Sequence, residues 1–215
     1  LVQLDTAGSI SLNLSHGAIA TYFTSSHPDL AAAVDSNMFP TERDLLTEVL
    51  DELALRGDER PVFLYQAAHG IKEGNCPPGA WANWTNHIAS LGYTEHHDAV
   101  ADLIISYYSL KHGDRIGGWW FDGANNISAA NQQRYYDAAR LGNPHAILAM
   151  PVASGAPLKS HPMDDYAAGH PFSVKANEPW QPANLLMIEN IEAGPWLDQN
   201  GDPVDDPNQG ALAHA

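Results

Sequence analysis

The stretch GGWWFDG, residues 117–123, places three consecutive aromatic side chains directly before an aspartate and encloses them between glycines. A short apolar run bounded by glycine is typical of a strand in the interior of a protein. The aromatic side chains of such a strand alternate across the sheet, and Gly123 allows the backbone to turn sharply after it. The stretch therefore predicts a buried strand that ends in the carboxylate of Asp122.

Four other segments predict strands, and helical patterns separate most of them. The predicted strands are residues 9–15 (SISLNLS), 62–67 (VFLYQA), 145–151 (HAILAMP) and 184–190 (NLLMIEN). Helices are predicted from about Thr41, from Thr94 and over residues 128–141. Strands that alternate with helices are the signature of βα units around a parallel sheet.

The ends of the helices follow from local signals. Residues 41–44 resemble a capping box with Asp44 in its fourth position, so the first helix is predicted to begin near Thr41. Gly57 is predicted to end it. The apolar face of this helix is predicted to consist of Leu45, Leu46, Val49, Leu50 and Leu53. The glycine- and proline-rich residues 70–84 predict a long loop that carries Trp81 and Trp84.

The order of these elements predicts an α/β fold of the (β/α)8 TIM-barrel type, complete or partial. The alternative is an open doubly wound sheet, but no glycine-rich dinucleotide or phosphate-binding pattern favours it. Five predicted strands in 215 residues are fewer than a closed barrel contains. We assign residues 1–193 to the barrel region and residues 194–215 to a loop-rich tail of the same domain.

The composition excludes several classes of partner. Lys and Arg total 10 against 26 Asp and Glu, and a formal charge of −16 disfavours nucleic acids and anionic membrane surfaces. No apolar run is long enough to predict membrane insertion. The single cysteine and the scattered histidines predict no metal site, and no cofactor is expected. Three N-x-S/T triplets, at Asn13, Asn83 and Asn126, favour an extracellular glycoprotein, whereas nothing indicates the oligomeric state.

The segment YYSLKHGDRIGGWWFDG, residues 107–123, resembles the α-L-fucosidases and related barrel proteins. PTERDLLTEVLDELALRGDERPVFLYQ, NPHAILAMP and MDDYAAGH extend the resemblance, which spans roughly residues 9–170. The resemblance implies a glycoside hydrolase that acts with retention of configuration on an oligosaccharide or glycan. It also implies that Asp122 is the catalytic nucleophile.

The remaining site residues are predicted from their positions at strand ends or among aromatics. Trp119 and Trp120 offer flat faces on which sugar C–H groups stack, and His16, His69 and Trp81 are further candidates for contact with substrate. Retaining hydrolysis also needs a second carboxyl group, and Glu189, at the end of the strand 184–190, is the preferred general acid. Its competitors are Glu192, Asp164 and Asp165.

A second interpretation remains open at this stage. In it Asp122 caps a loop, the tryptophans fill the core, and the chain is a non-catalytic structural or carbohydrate-binding module of an extracellular assembly. It gains weight because no segment before Leu1 supplies the upstream sugar-holding strands that the resemblance implies.

Overall fold

The computed structural model describes residues 9–15, 23–40, 43–73, 76–124, 127–150 and 161–166. His16, Glu189, Glu192, the predicted strand 184–190 and the tail lie outside the described residues. Within them, four parallel strands form one sheet in the order β1-β2-β3-β4. These strands are β1 (Ile10–Ser15), β2 (Val62–Ala67), β3 (Ile116–Asp122) and β4 (Ile147–Ala149).

The strands of the described sheet keep the order of the sequence, and helices occupy each connection between them. The helices are α1 (Pro28–Ala33), α2 (Leu45–Leu55), α3 (Ala80–Ser90), α4 (His96–Ala99), α5 (Ser106–His112) and α6 (Ala129–Ala139). A π-helical segment, Val100–Ile105, joins α4 to α5. The prediction of an α/β fold with a parallel sheet is confirmed, and the described strands lack the reversal of order that defines a doubly wound sheet.

Helix α2 begins later than the sequence predicts. Asp44 is its N-cap, with Oδ1 accepting a hydrogen bond from the Thr47 backbone N–H at 3.2 Å, so the helix starts at Leu45 rather than near Thr41. The carboxylate also accepts from Ser25 and from Lys111. Burial opposes ionisation of Asp44, but these hydrogen bonds outweigh it and lower its pKa to about 2. Two residues distant in sequence, Ser25 and Lys111, therefore also hold the capping carboxylate.

The opposite end of α2 agrees with the prediction. Gly57 follows the helix with a φ of +66°, and the N–H of Asp58 donates to the carbonyl of Leu53. This is the Schellman arrangement, which a glycine accommodates without steric cost. Leu46 and Leu50 are buried, whereas 41% of Leu45 and 36% of Val49 are exposed, so the buried face is narrower than predicted.

The predicted loop 70–84 is helical in its last part. Trp81 and Trp84 lie in α3, which begins at Ala80 after Gly79. Trp84 is fully buried, and Trp81 packs against the same core with part of its surface exposed. Both tryptophans therefore belong to a helix that packs on the core, whereas the sequence predicted them in a loop.

The helix predicted from Thr94 consists of α4, the π segment and α5, which follow one another without a break. A π turn lacks the regular i→i−4 pattern, and His27 provides a partner there: its Nε2 donates to the Leu103 carbonyl at 2.7 Å. Nδ1 of His27 accepts from the Leu30 N–H and so caps α1. This histidine joins the first connection of the sheet to the second.

The two faces of the sheet carry different layers. The main hydrophobic core lies between the sheet and the helices, on what we call the helix face. A smaller cluster, which we call the opposite face, consists of Phe63, Tyr65, Trp120, Ala149 and Tyr166. Gly118 makes this second layer possible, because a Cβ there would come within 2.4 Å of the Phe63 ring and 2.6 Å of the Ile147 carbonyl oxygen.

Two further observations concern the predicted surroundings of the protein. Among the described helices none is long and apolar enough to cross a membrane. Of the predicted glycosylation sites, Asn13 is exposed on β1, Asn83 lies on α3 with its side-chain amide donating to the Val34 carbonyl, and Asn126 lies outside the described residues.

Candidate active site

Asp122 ends β3 at the carboxyl edge of the parallel sheet, as predicted. Its side chain is partly exposed, although Trp119, Trp120 and Phe121 before it are fully buried. The hydroxyl of Tyr65, on β2, donates a hydrogen bond of 2.5 Å to Oδ2 of Asp122. The carboxylate therefore lies at the rim of the opposite face, held from one side by a neighbouring strand.

The end of β2 also holds the backbone around Asp122. Ala67 is paired with Asp122 in the ladder, and the N–H of Ala68 donates to the Asp122 carbonyl at 2.7 Å. The next residue, His69, interacts through its ring with the Gly123 backbone. Gly123 has a φ of +71°, which confirms the predicted turn after the strand. Residues 65–69, at the end of β2 and in its loop, therefore contact the Asp122 side chain, the Asp122 carbonyl and the turn at Gly123.

A layer of histidines supports that segment of β2 from the helix side. Nδ1 of His96 accepts from the indole N–H of Trp84 at 3.0 Å, and its Nε2 lies 2.8 Å from the His69 carbonyl oxygen. Because an indole nitrogen only donates, His96 must be neutral with its proton on Nε2. Its two neighbours in this network leave it one tautomer and one ring orientation.

His97 supports the same segment through Tyr135. The Tyr135 hydroxyl donates to the Ala68 carbonyl at 2.7 Å, so it accepts from Nδ1 of His97, which also lies at 2.7 Å. Both histidines of α4 are partly buried. His96 contacts the loop that follows β2 directly, and His97 contacts it through Tyr135.

Burial keeps the histidines of this region neutral. Desolvation, reinforced by Lys72 and His96, lowers the pKa of His69. Desolvation lowers the pKa of His96, and together with His96 and His69 it lowers the pKa of His97 to about 4. Within the described residues no group of three or more histidine, cysteine or acidic side chains is arranged to hold a metal ion.

The two predicted stacking tryptophans occupy different layers. Trp119 lies on the helix face, stacked on Phe121 with ring centroids 5.7 Å apart, and has no exposed surface. Its ring offers no face to a sugar, which corrects the expectation for this residue. Trp120 is also fully buried, but it lies on the opposite face, where its ring meets Tyr65 edge to face. A contact of Trp120 with substrate stays a prediction.

The other predicted contact residues are only partly brought together. His69 lies at the carboxyl edge beside Asp122, as expected. Trp81 lies on α3 against the His96 ring, with centroids 5.4 Å apart, and so belongs to the supporting layer. His16 follows β1 directly but lies outside the described residues, as does Glu189.

Two of the competing acids have a structural role instead. Asp164 is buried, and its carboxylate accepts from the Tyr136 hydroxyl and from the backbone N–H groups of Met150 and His161. Asp165 accepts from Arg140 and from the Leu148 N–H, while its own N–H donates to the Leu148 carbonyl. Both aspartates fasten the chain after β4 to the end of that strand. Asp164 is buried and Asp165 is exposed, and the role of either as general acid stays a prediction.

The sequence did not single out Tyr65. It lies in the strand VFLYQA among apolar residues, where a tyrosine is ordinary core material. The one available signal was its position two residues before the end of the strand, on the face that meets the last residue of β3. Recognising that needs the register of β2 against β3, which the sequence does not contain.

The described residues thus form a parallel α/β sheet with one partly exposed, hydrogen-bonded carboxylate at its carboxyl edge. Residues 1–158 match the family model of the endo-α(1,4)-fucoidanase Mef1. The chain belongs to this family. The predicted resemblance is therefore confirmed at the level of fucose-active glycoside hydrolases. The family that the chain matches is that of the endo-fucoidanase rather than that of the α-L-fucosidases.

Solved structures agree with this assignment at the level of fold. The endo-fucoidan hydrolase MfFcnA4 from glycoside hydrolase family 107 is 21% identical, with a TM-score of 0.62 over 80% of this chain and 32% of that chain. MfFcnA9 of the same family is 20% identical, with a TM-score of 0.60 over 80% and 38%. P5AFcnA is 18% identical, with a TM-score of 0.56 over 70% and 41%.

α-L-Fucosidase AlfC from Lactobacillus casei is 17% identical over 75% of this chain and 49% of that chain. Its TM-score of 0.45 is below the level at which a shared fold is inferred. No curated protein sequence matches significantly. The chain spans about a third of the length of the endo-fucoidan hydrolases that it matches.

Proposed function

We propose that this chain belongs to a retaining glycoside hydrolase that cleaves α-1,4-linked fucose polymers at internal positions, and that Asp122 is its nucleophile. The observation that carries the proposal is the partly exposed Asp122 carboxylate at the carboxyl end of β3. Membership in the endo-α(1,4)-fucoidanase family supports both the reaction and the class of substrate. The substrate is accordingly a polysaccharide rather than the terminal fucose of a small glycan.

The position of Asp122 supports this reaction because it combines access with fixed geometry. The active sites of (β/α) barrels lie at the carboxyl ends of their strands. Four parallel strands in sequential order, each joined by helices to the next, are what an arc of such a barrel contains. We therefore propose that the sheet belongs to a barrel and that the opposite face, with Tyr65 and Trp120, lines its interior.

The chemistry assigned to Asp122 is a double displacement. An oxygen of its carboxylate attacks the anomeric carbon, the bond from that carbon to the glycosidic oxygen breaks, and the leaving oxygen takes a proton from a general acid. Water, deprotonated by the same group, then attacks the anomeric carbon and releases the carboxylate. The two inversions give net retention of configuration.

For the general acid we retain Glu189 as the candidate. It follows the apolar residues 185–188 and would end a strand, as Asp122 does. The burial of Asp164 and its three hydrogen bonds to the chain favour Glu189 over that competitor, while Asp165 and Glu192 remain alternatives. His16, His69 and Trp120 are proposed to contact the sugar, and an extracellular location remains a prediction from the N-x-S/T triplets.

The test replaces Asp122 by glycine in the full-length protein and supplies azide. A retaining enzyme that lacks its nucleophile loses hydrolysis, and azide enters the vacated space and attacks the anomeric carbon directly. We expect an α-1,4-linked fucan to give almost no new reducing ends with Asp122→Gly alone. With azide we expect oligosaccharides that carry azide at the anomeric carbon, visible by mass spectrometry.

The matched control is Asp137→Gly, on the exposed surface of α6. It should cleave the polymer at the normal rate and form no azide adduct. Full hydrolysis by Asp122→Gly would refute the assignment of the nucleophile. If the unmodified protein binds fucan without cleaving it, the non-catalytic carbohydrate-binding module is the correct interpretation.

A further inference from the structure

We propose that Tyr65 is the positioning residue of the nucleophile: its hydroxyl orients the Asp122 carboxylate and stabilises its negative charge during the reaction. This inference rests on the proposed function of Asp122. It assigns a role to a residue of the neighbouring strand that no sequence motif identifies. The observation behind it is the hydrogen bond from the Tyr65 hydroxyl to Oδ2 of Asp122.

The Tyr65 ring is held in a single orientation. It is 2% exposed and packs edge to face against Trp120, with ring centroids 5.2 Å apart and an interplanar angle of 83°. Its strand, β2, is flanked by a strand on each side. A hydroxyl on so rigid a ring fixes the acceptor oxygen in space, which is the property that an attacking carboxylate requires.

The charge on Asp122 changes during the reaction, and the hydrogen bond responds to that change. Bonds to an ionised acceptor are roughly twice as strong as bonds between neutral groups. Tyr65 therefore stabilises the carboxylate before attack, donates more weakly to the neutral ester of the glycosyl intermediate, and stabilises the carboxylate again as the ester breaks. It thereby assists departure of the carboxylate in the second step.

A tyrosine on the same face provides the matched comparison. The Tyr166 hydroxyl donates to the Trp119 carbonyl at 2.9 Å, and its ring is 3% exposed. Both tyrosines belong to the same cluster, and in both a change to phenylalanine removes one oxygen. Only Tyr65 donates to a carboxylate, so the two changes separate an effect on Asp122 from the general cost of losing a buried hydrogen bond.

The experiment measures the pH dependence of kcat/KM on an α-1,4-linked fucan for Tyr65→Phe and Tyr166→Phe in the full-length protein. The acid limb reports protonation of the nucleophile in the free enzyme. Tyr65→Phe removes a donor that binds the ionised carboxylate more strongly than the neutral acid, so its acid limb is expected to move to higher pH. We expect its maximal kcat to fall roughly tenfold. Tyr166→Phe should leave the acid limb in place.

A second variant covers the case in which Tyr65→Phe does not fold. 3-Fluorotyrosine at position 65 keeps the ring and is a more acidic donor, so the acid limb should move downward. An acid limb that neither substitution moves overturns the inference. This failure differs from failure of the proposed function, since it would occur with Asp122→Gly still inactive and rescued by azide. If Asp122→Gly retains full activity, both proposals are wrong.

Discussion

Two tyrosine–aspartate pairs lie at the carboxyl edge of this sheet, and their surroundings differ. In one pair Tyr65 donates to Asp122, which is partly exposed. In the other Tyr136 donates to Asp164, which is 3% exposed and also accepts two backbone N–H groups. The first carboxylate keeps part of its surface exposed, whereas the second is buried among donors of the chain itself. Under the proposed function, the same two residue types serve a reaction in one place and the fold in the other.

The Tyr136–Asp164 pair has the properties of a structural clamp. Burial and the hydrogen bond to Asp164 raise the pKa of the Tyr136 hydroxyl well above its usual value. The Asp164 carboxylate accepts from the Met150 N–H and so connects the chain after β4 to the end of that strand. A buried carboxylate with such partners is costly to disturb, because each donor loses its acceptor away from water.

The largest expected effect is on activity, from Asp122→Asn. An amide is a poor nucleophile, so cleavage of fucan should fall roughly 10³-fold or more. The unfolding free energy should change by less than about 1 kcal/mol because the side chain is partly exposed. Reducing-end assays and urea titration measure the two quantities. A large loss of stability with little loss of activity would make Asp122 the clamp and abolish the contrast between the pairs.

The complementary change is Asp164→Asn, which is expected to act on stability. The amide cannot accept from all three donors at once, and we expect a loss of roughly 2–3 kcal/mol of unfolding free energy. Activity per folded molecule should persist. Asp137→Asn, on the exposed surface of α6, is the control and should change stability by less than about 0.5 kcal/mol. Equal effects at both positions would contradict the clamp.

Acid tests the support behind Asp122, because histidines brace the end of β2. Burial lowers the pKa values of His69, His96 and His97 at this loop, and also those of His27 and His112 elsewhere in the fold. In the unfolded chain the histidine side chains bind protons below about pH 6.5. In the folded protein His97 and His112 bind them only near pH 4. Stability is therefore fully present above pH 6.5 and falls as the pH drops from 6.5 towards 4.

The slope of this loss is at most about 1.4 kcal/mol per pH unit for each histidine. Urea titrations at several pH values measure it. His97→Gln should flatten the slope, while His145→Gln, at an exposed position, should leave it unchanged. A slope that His97→Gln leaves unchanged would show that His97 is not buried against this loop as described.

The smallest expected effect is from Gly123→Ala, at the turn after Asp122. A Cβ at this position meets no atom within 4 Å, so only the φ of +71° opposes alanine. We expect a loss of about 1 kcal/mol. Gly118→Ala provides the comparison, because its Cβ would collide with Phe63. We expect it to lose more unfolding free energy, roughly 1–3 kcal/mol. Thermal unfolding compares them, and the reverse order would contradict the packing of the opposite face.

Hydrophobic patterning and glycine placement were sufficient to predict much of this fold. Strands β1, β2 and β3 agree with their predicted segments within one residue, and helix α6 lies inside the predicted residues 128–141. Asp122 was predicted at a strand end because an apolar run that stops at a polar residue and a glycine has few other interpretations. These features depend on neighbours in sequence, and local sterics and periodicity decide them.

The tertiary structure alone decided which residues act together. Tyr65 and Asp122 are 57 residues apart, and Tyr136 and Asp164 are 28 apart. The register of parallel strands brings the first pair together, and the second pair joins α6 to the chain after β4. Distant partners likewise hold the Asp44 carboxylate that caps α2, bury Trp119 and position the histidines behind the end of β2. A carboxylate becomes reactive or structural through its burial and its donors, and the folded chain supplies both.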